Sequence, residues 1–160
     1  MGKISNNIGD KSLAESVQHH LLSYISESGD ARETIVAAYL FGSVLRPENF
    51  KKNSDIDMAF LLDRRLYKQD PLINSAPAYM AAAEIAAMAE RQTDVIILNS
   101  ASIETAYQAI TTGTPVYEAD HEHRLEYEAV LRGMYFDFKP FLEQLRTKSM
   151  RPSSSRGSAE

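Results

Sequence analysis

No cysteine occurs anywhere in the 160 residues, which rules out a disulfide framework and any metal site built on thiolates. Long hydrophobic runs are missing as well, and the apolar stretches fall far short of the roughly 20 residues that a membrane-spanning helix needs. The opening segment, MGKISNNIGDKS, has no apolar core of the kind a secretory leader carries. A cytoplasmic protein without a membrane role is therefore expected. Nor is there an excess of positive charge. With 17 Lys and Arg against 22 Asp and Glu, the formal net charge is −5, the reverse of the basic surface that grips a polynucleotide. No direct nucleic-acid binding is expected, and an acidic chain suits a basic partner.

What is present is the make-up of an ordinary folded domain, 44% hydrophobic and 24% charged, long enough to bury a core without staples. Residues 12–27 place Leu13, Val17, Leu21, Leu22 and Ile25 on one helical face, with Ser12 as N-cap and Glu15 as its capping-box partner. Two short β-prone runs follow, 35–41 (IVAAYLF) and 55–62 (DIDMAFLL), joined by a polar loop over 46–54. The Ala- and Met-rich segment 77–91, with Pro77 near its start, predicts a helix packed on the sheet. A third buried strand is expected at 93–99 (TDVIILN), then a helix at 101–112 ending at Gly113 and a short extended piece, TPVYEAD. Two further helices are predicted at 121–134 and 137–148. This is an α/β order: helix, strand, strand, helix, strand, then C-terminal helices. A single domain over 1–149 is expected, its core about 33–118 and its C-terminal helices within 121–148, with 150–160 as a flexible tail.

The chemistry concentrates in FGSVLRPENFKKNSDID, residues 41–57. Side chains alternate along a strand, so Asp55 and Asp57 project to one face while Ile56 turns into the core. Two carboxylates that close repel each other unless a cation lies between them, and hard divalent ions such as Mg²⁺ prefer carboxylate and phosphate oxygens. Asp94, opening the third strand, is positioned to join the same sheet edge as a third carboxylate, enough for a two-metal site. Gly42 lets backbone approach a phosphate closely, and Ser43 adds a hydroxyl and an N–H at an expected helix start, where anions are favoured. Arg46, Lys51 and Lys52 lie in the same connection and are placed to neutralise a triphosphate. The expected occupants are two Mg²⁺ ions and a nucleoside triphosphate. By contrast, His121-Glu122-His123 is read as a solvated helix face, because residues i and i+2 do not face each other on a helix.

The order Gly42-Ser43, eleven residues, Asp55-x-Asp57 and a later strand bearing Asp94 resembles the DNA polymerase β-like nucleotidyltransferase superfamily, and among its small members the minimal nucleotidyltransferase (MNT) antitoxins paired with HEPN ribonuclease toxins. The gap is often ten residues in those proteins. Where they commonly read GSRARG this chain reads GSVLRP, so Arg46 matches the second arginine, Val44 replaces the first and Pro47 replaces the final glycine. The region Arg124-x-x-YEAVLRGMYFDF is similar to their C-terminal helices. The resemblance implies a polymerase β-like fold, a small mixed sheet flanked by helices with C-terminal helices. It implies metal ligation and catalysis by Asp55, Asp57 and Asp94, and nucleotide contacts from Gly42, Ser43 and Arg46. It further implies an antitoxin that silences a HEPN toxin by Mg²⁺-dependent transfer of AMP from ATP to a toxin tyrosine. The alternatives are a small-molecule nucleotidyltransferase of the aminoglycoside-modifying kind and an antitoxin that binds its toxin without chemistry. Retention of three clustered acids speaks against the last, since like charges are costly to keep without a cation.

Overall fold

A computed structural model describes residues 12–46, 51 and 53–150. Ser12 caps α1 (Leu13–Glu27), its side chain accepting the amide of Glu15, and Val17, Leu21 and Ile25 are buried at four-residue intervals. Leu22, expected on that face, lies one residue off the stripe and is 43% exposed. Two six-residue helices were not expected from the sequence: α2 (Gly29–Thr34), capped by Ser28, and α3 (Arg64–Gln69), capped by Asp63. Each follows a larger element directly and turns the chain. Between them run β1 (Ile35–Phe41), a single 3-10 turn over Gly42–Leu45, and β2 (Ile56–Leu62).

The helix expected at 77–91 starts earlier, as α4 (Pro71–Ala89), because Asp70 accepts the amide of Ile73 and Pro71 takes the first helical position. Pro77 thus sits inside the helix, and the carbonyl it leaves without a donor belongs to the exposed Ile73. β3 (Thr93–Ile97) is shorter than the expected 93–99. The amide of Leu98 still donates to the carbonyl of Phe60, and the Asn99 side chain then bonds both the amide and the carbonyl of Leu62, closing the strand pair. After α5 (Ile103–Thr112) comes β4 (Thr114–Glu118), and the two helices expected at 121–134 and 137–148 are one continuous helix, α6 (His121–Ser149). The aromatic junction Tyr135-Phe136 contains no breaker, and Pro140 is accommodated within the helix. Of the expected tail 150–160, only Met150, which caps α6, is among the described residues.

The sheet order is β3-β2-β1-β4, with β1 antiparallel to β2 and β4, and β2 parallel to β3. Both faces are covered. On one, Ala38 and Leu40 of β1 and Ile56, Met58, Phe60 and Leu62 of β2 pack with α1 and the small residues Ala78, Ala81 and Ala82 of α4. On the other, Ala37, Tyr39, Ala59 and Leu61 pack with α5 and with Leu131 of α6. This is a mixed four-stranded sheet flanked by helices, with a long C-terminal helix, as the fold class anticipated. No helix among the described residues is long and apolar enough to cross a membrane.

Candidate active site

Strand parity settles which side of the sheet the acids occupy. Ala59 and Leu61 face α5 and α6, so Asp57, in step with them, points to that side, while Ile56 is fully buried on the other. In the parallel ladder Asp57 stands opposite Asp94, and Ile56 opposite Thr93. Asp94 shares the parity of Ile96, which packs on the α5 and α6 side. Asp55 immediately precedes β2 rather than lying in it, and is exposed, as is Asp94, whereas Asp57 is half-buried. Burial raises the pKa of Asp57, and the neighbouring charges of Asp94 and then Asp55 raise it further. The three carboxylates expected from the sequence are therefore brought to one sheet edge, near enough to repel each other.

Gly42 belongs to the same edge. Phe41, the last residue of β1, pairs with Asp57 across the antiparallel ladder, and Gly42 then turns with φ at +75, a left-handed conformation that suits glycine. A Cβ on Gly42 would overlap Oδ2 of Asp57 and stand 3.2 Å from its Cγ. The glycine is thus set directly against the carboxylate. Ser43 follows in the 3-10 turn rather than at the start of a regular helix, and its carbonyl accepts the amide of Arg46 at 2.9 Å. Arg46 is exposed at the end of that turn. Lys51 is exposed too, whereas Lys52 and Pro47 lie outside the described residues.

The donor set suits a hard divalent cation: three carboxylates, with the half-buried one destabilised in its charged form by the other two. Among the described residues no group of three acidic or imidazole side chains is already drawn together in ligating geometry. The open edge fits a cation that brings further ligands of its own rather than a pre-closed protein cage.

Sequence reasoning missed two groups of residues. Arg91, read as the last residue of a helix, reaches back to the loop before Asp55, its guanidinium donating to the carbonyls of Lys51 at 2.8 Å and Ser54 at 3.3 Å. The second group is a buried polar network on the α6 side. Tyr39 donates to Glu128 at 2.8 Å, Arg124 bonds Glu128 at 2.6 Å and Glu118 at 2.5 Å, and Arg132 reaches Glu128 at 3.3 Å. Burial and then the Glu128 hydrogen bond raise the Tyr39 pKa, and the Arg124 hydrogen bond first of all lowers that of Glu118. A charged residue four positions from an arginine on a helix reads as solvated surface; only the Tyr39 contact from β1 reveals that Glu128 is buried. His121 is exposed and bonds Glu118 at 3.0 Å, as befits a surface residue. Tyr127 packs on the sheet, with burial raising its pKa to about 12, and Tyr135 stacks on Tyr107 at 3.6 Å between ring centres.

Along α6, Val130, Met134, Phe138, Phe141 and Leu145 recur at intervals of three and four residues, all of them exposed. Such a stripe would be buried against another element if it were a core face.

Residues 24–122 match the family described as "Polymerase beta, Nucleotidyltransferase". No curated protein matches the chain in sequence. In three dimensions it is similar to a chain of a toxin-antitoxin crystal structure with AMP-PNP, with TM-score 0.62 and 19% identity over 84% of this chain and 98% of that one. It is also similar to a chain from the complex of tri-AMPylated Shewanella oneidensis HEPN toxin with MNT antitoxin, with TM-score 0.60 and 17% identity over 86% of this chain and 99% of that one. A third similar chain comes from the MntA-HepT toxin-antitoxin complex, with TM-score 0.58 and 18% identity over 86% and 99% of the two chains.

Proposed function

The chain belongs to the polymerase beta nucleotidyltransferase family, and from that premise we propose that it is an antitoxin that transfers AMP from ATP to a tyrosine hydroxyl of a HEPN ribonuclease toxin, in a Mg²⁺-dependent reaction. The observation that carries the proposal is the edge itself: Asp57 set against Gly42, with Asp94 beside it in register and Asp55 two residues before it. Two similar structures support the finer reading, one holding AMP-PNP and the other an AMPylated HEPN toxin. The exposed apolar stripe of α6 supports an acceptor that is a folded protein, since contiguous exposed apolar surface marks interaction sites.

In this reading Asp55, Asp57 and Asp94 hold the Mg²⁺ ions, which when bound supply charge neutralisation for the triphosphate and for the leaving pyrophosphate. In the same reading the backbone around Gly42 and Ser43 receives the phosphates at close range, and the exposed Arg46 neutralises the triphosphate. The acceptor is a phenol with a pKa of about 10, so it must lose its proton as it reacts. The tyrosine oxygen forms a bond to the α-phosphorus, the bond from that phosphorus to the bridging oxygen breaks, and pyrophosphate leaves with that electron pair. Asp94, the exposed acid at the rim, receives the phenolic proton.

Intact-mass spectrometry tests this directly. The chain is mixed with ATP, Mg²⁺ and its cognate HEPN protein, with the Asp55→Asn/Asp57→Asn variant as control. The expected result is a toxin heavier by one or more adenylate units, pyrophosphate release, and neither with the variant. A toxin that stays unmodified yet loses ribonuclease activity on stoichiometric binding would make this a binding antitoxin; adenylylation of an aminoglycoside in its place would make it a small-molecule transferase.

A further inference from the structure

Two acids of the edge lie on paired strands, but Asp55 lies outside the ladder, one residue before β2 begins. What holds it is a short turn gripped from the α4-to-β3 connection. Within the turn, the amide of Lys51 donates to the Ser54 hydroxyl at 2.9 Å and the amide of Ser54 returns to the Lys51 carbonyl at 3.0 Å. The Arg91 guanidinium then donates to both carbonyls, Lys51 at 2.8 Å and Ser54 at 3.3 Å. On the other side of Asp55, the amide of Ile56 donates to the carbonyl of Gln92 at 2.9 Å. Asp55 is thus clasped between two bonds from consecutive residues, Arg91 and Gln92, on the segment that carries Asp94 into β3. Arg91 is itself anchored, its amide donating to the Ala86 carbonyl after Glu90 turns the chain with φ at 52.

We propose that Arg91 is the positioning residue of the acid edge: by fastening the Lys51–Ser54 turn to the segment that bears Asp94, it sets where the Asp55 carboxylate stands relative to Asp57 and Asp94, and so sets the affinity for a divalent cation. The inference rests on reading the three acids as a metal edge. Both carbonyls are met by one guanidinium nitrogen, Nη1, whose two N–H donors are fixed in the plane of the group, whereas the ammonium of a lysine sits on a flexible stem. The arrangement parallels metal sites at large, where groups that orient the ligands control affinity by 10–100-fold.

The test measures Mn²⁺ binding by electron paramagnetic resonance on the full chain with ATP, for wild type, Asp57→Asn, Arg91→Ala and Arg91→Lys, alongside amide hydrogen exchange and thermal melting. Wild type is expected to bind Mn²⁺ and Asp57→Asn to lose it, which establishes the edge without reference to any acceptor. Arg91→Ala is expected to weaken binding about tenfold and to speed exchange at Ser54 and Ile56 while β1 amides keep their protection; Arg91→Lys is expected to fall between the two. Unchanged Mn²⁺ affinity in Arg91→Ala would overturn the proposal, and so would faster exchange spread evenly over the sheet, which marks a loss of stability instead of a loss of position. A wild-type chain that bound no Mn²⁺ would remove the metal edge and this inference with it. A toxin left unmodified while Mn²⁺ binding followed the expected order would overturn the transfer reading alone.

Discussion

Replacing Gly42 with alanine imposes two separable penalties. The first is backbone strain: with φ at +75, a residue bearing a Cβ costs about 1–2 kcal/mol more than glycine. At about 2–4 °C per kcal/mol for a domain of this size, that alone lowers Tm by about 2–8 °C. The second is collision with Asp57, because the added methyl carbon overlaps Oδ2 and stands 3.2 Å from Cγ. The carboxylate must swing aside by about 1 Å, a misplacement of the order that costs a catalytic arrangement about 100-fold. Calorimetry on the four proteins of a cycle with Asp57→Ala separates the two, since removing the carboxylate leaves only the strain. The thermal cost of Gly42→Ala is expected to be larger with Asp57 present than with it absent, and the single variant to lose about 100-fold in AMP transfer. An unchanged transfer rate, or the same thermal cost in both backgrounds, would refute the idea that this glycine is kept for Asp57.

Other perturbations report on other parts of the site. Asp94→Asn is expected to depress the transfer rate much more than ATP affinity, measured in parallel by turnover and calorimetric titration, because the Gly42 turn and the other two acids still receive the nucleotide; equal losses in both would remove its distinct role. The raised pKa of Asp57, caused by burial and then by Asp94 and Asp55, means the folded chain holds that proton more tightly than the unfolded one. This contribution to stability is full below the ordinary carboxylate pKa and is lost as pH rises through the folded value. Without metal, Asp57→Asn should therefore melt higher than wild type at neutral pH, an advantage that shrinks on acidification and in Mg²⁺; a gap independent of pH would contradict it. Glu128→Ala strips the Tyr39 hydroxyl and Arg124 of their shared buried acceptor, Arg124 keeping the partly exposed Glu118, and is expected to cost about 1–3 kcal/mol, whereas Glu104→Ala, which removes the exposed partner of Arg146, should cost less than about 1 kcal/mol.

The core strands and the acid edge were legible because both depend on period. A run such as IVAAYLF is apolar on both faces, and alternation along the paired strands puts Asp57 and Asp94 on one side, whereas Asp55, expected to open β2, stands just ahead of it and is placed by the turn before it. Gly113 also ends α5 as expected, although for a reason the sequence does not show: its φ is ordinary, but a Cβ there would overlap the Ala109 carbonyl oxygen and stand 2.8 Å from that of Leu40. Six-residue α2 and α3 were invisible because helices so short persist only through the elements they join. Pro77 reads as a helix start since proline is favoured there, and only the Asp70 cap shows that the helix has already begun. Arg91 and Glu128 act through partners 40 and 89 positions away respectively, distances at which no local pattern carries a signal.

The parallel pairing of β2 with β3 has a consequence for the order in which the molecule assembles. Asp57 and Asp94 meet only when the whole crossover through α3 and α4 has closed, a non-local step that comes late because its loop entropy is lost before its contacts form. The hairpin partners β1 and β2 can pair earlier, bringing Gly42 against Asp57 while Asp94 is still distant. Repulsion among the acids is thus a burden that appears only as the crossover closes. A cation that relieves it favours the closed crossover over the open one, stabilising the folded chain by binding it alone. How firmly β3 stays docked on β2 is then what the ionic content of the surroundings controls.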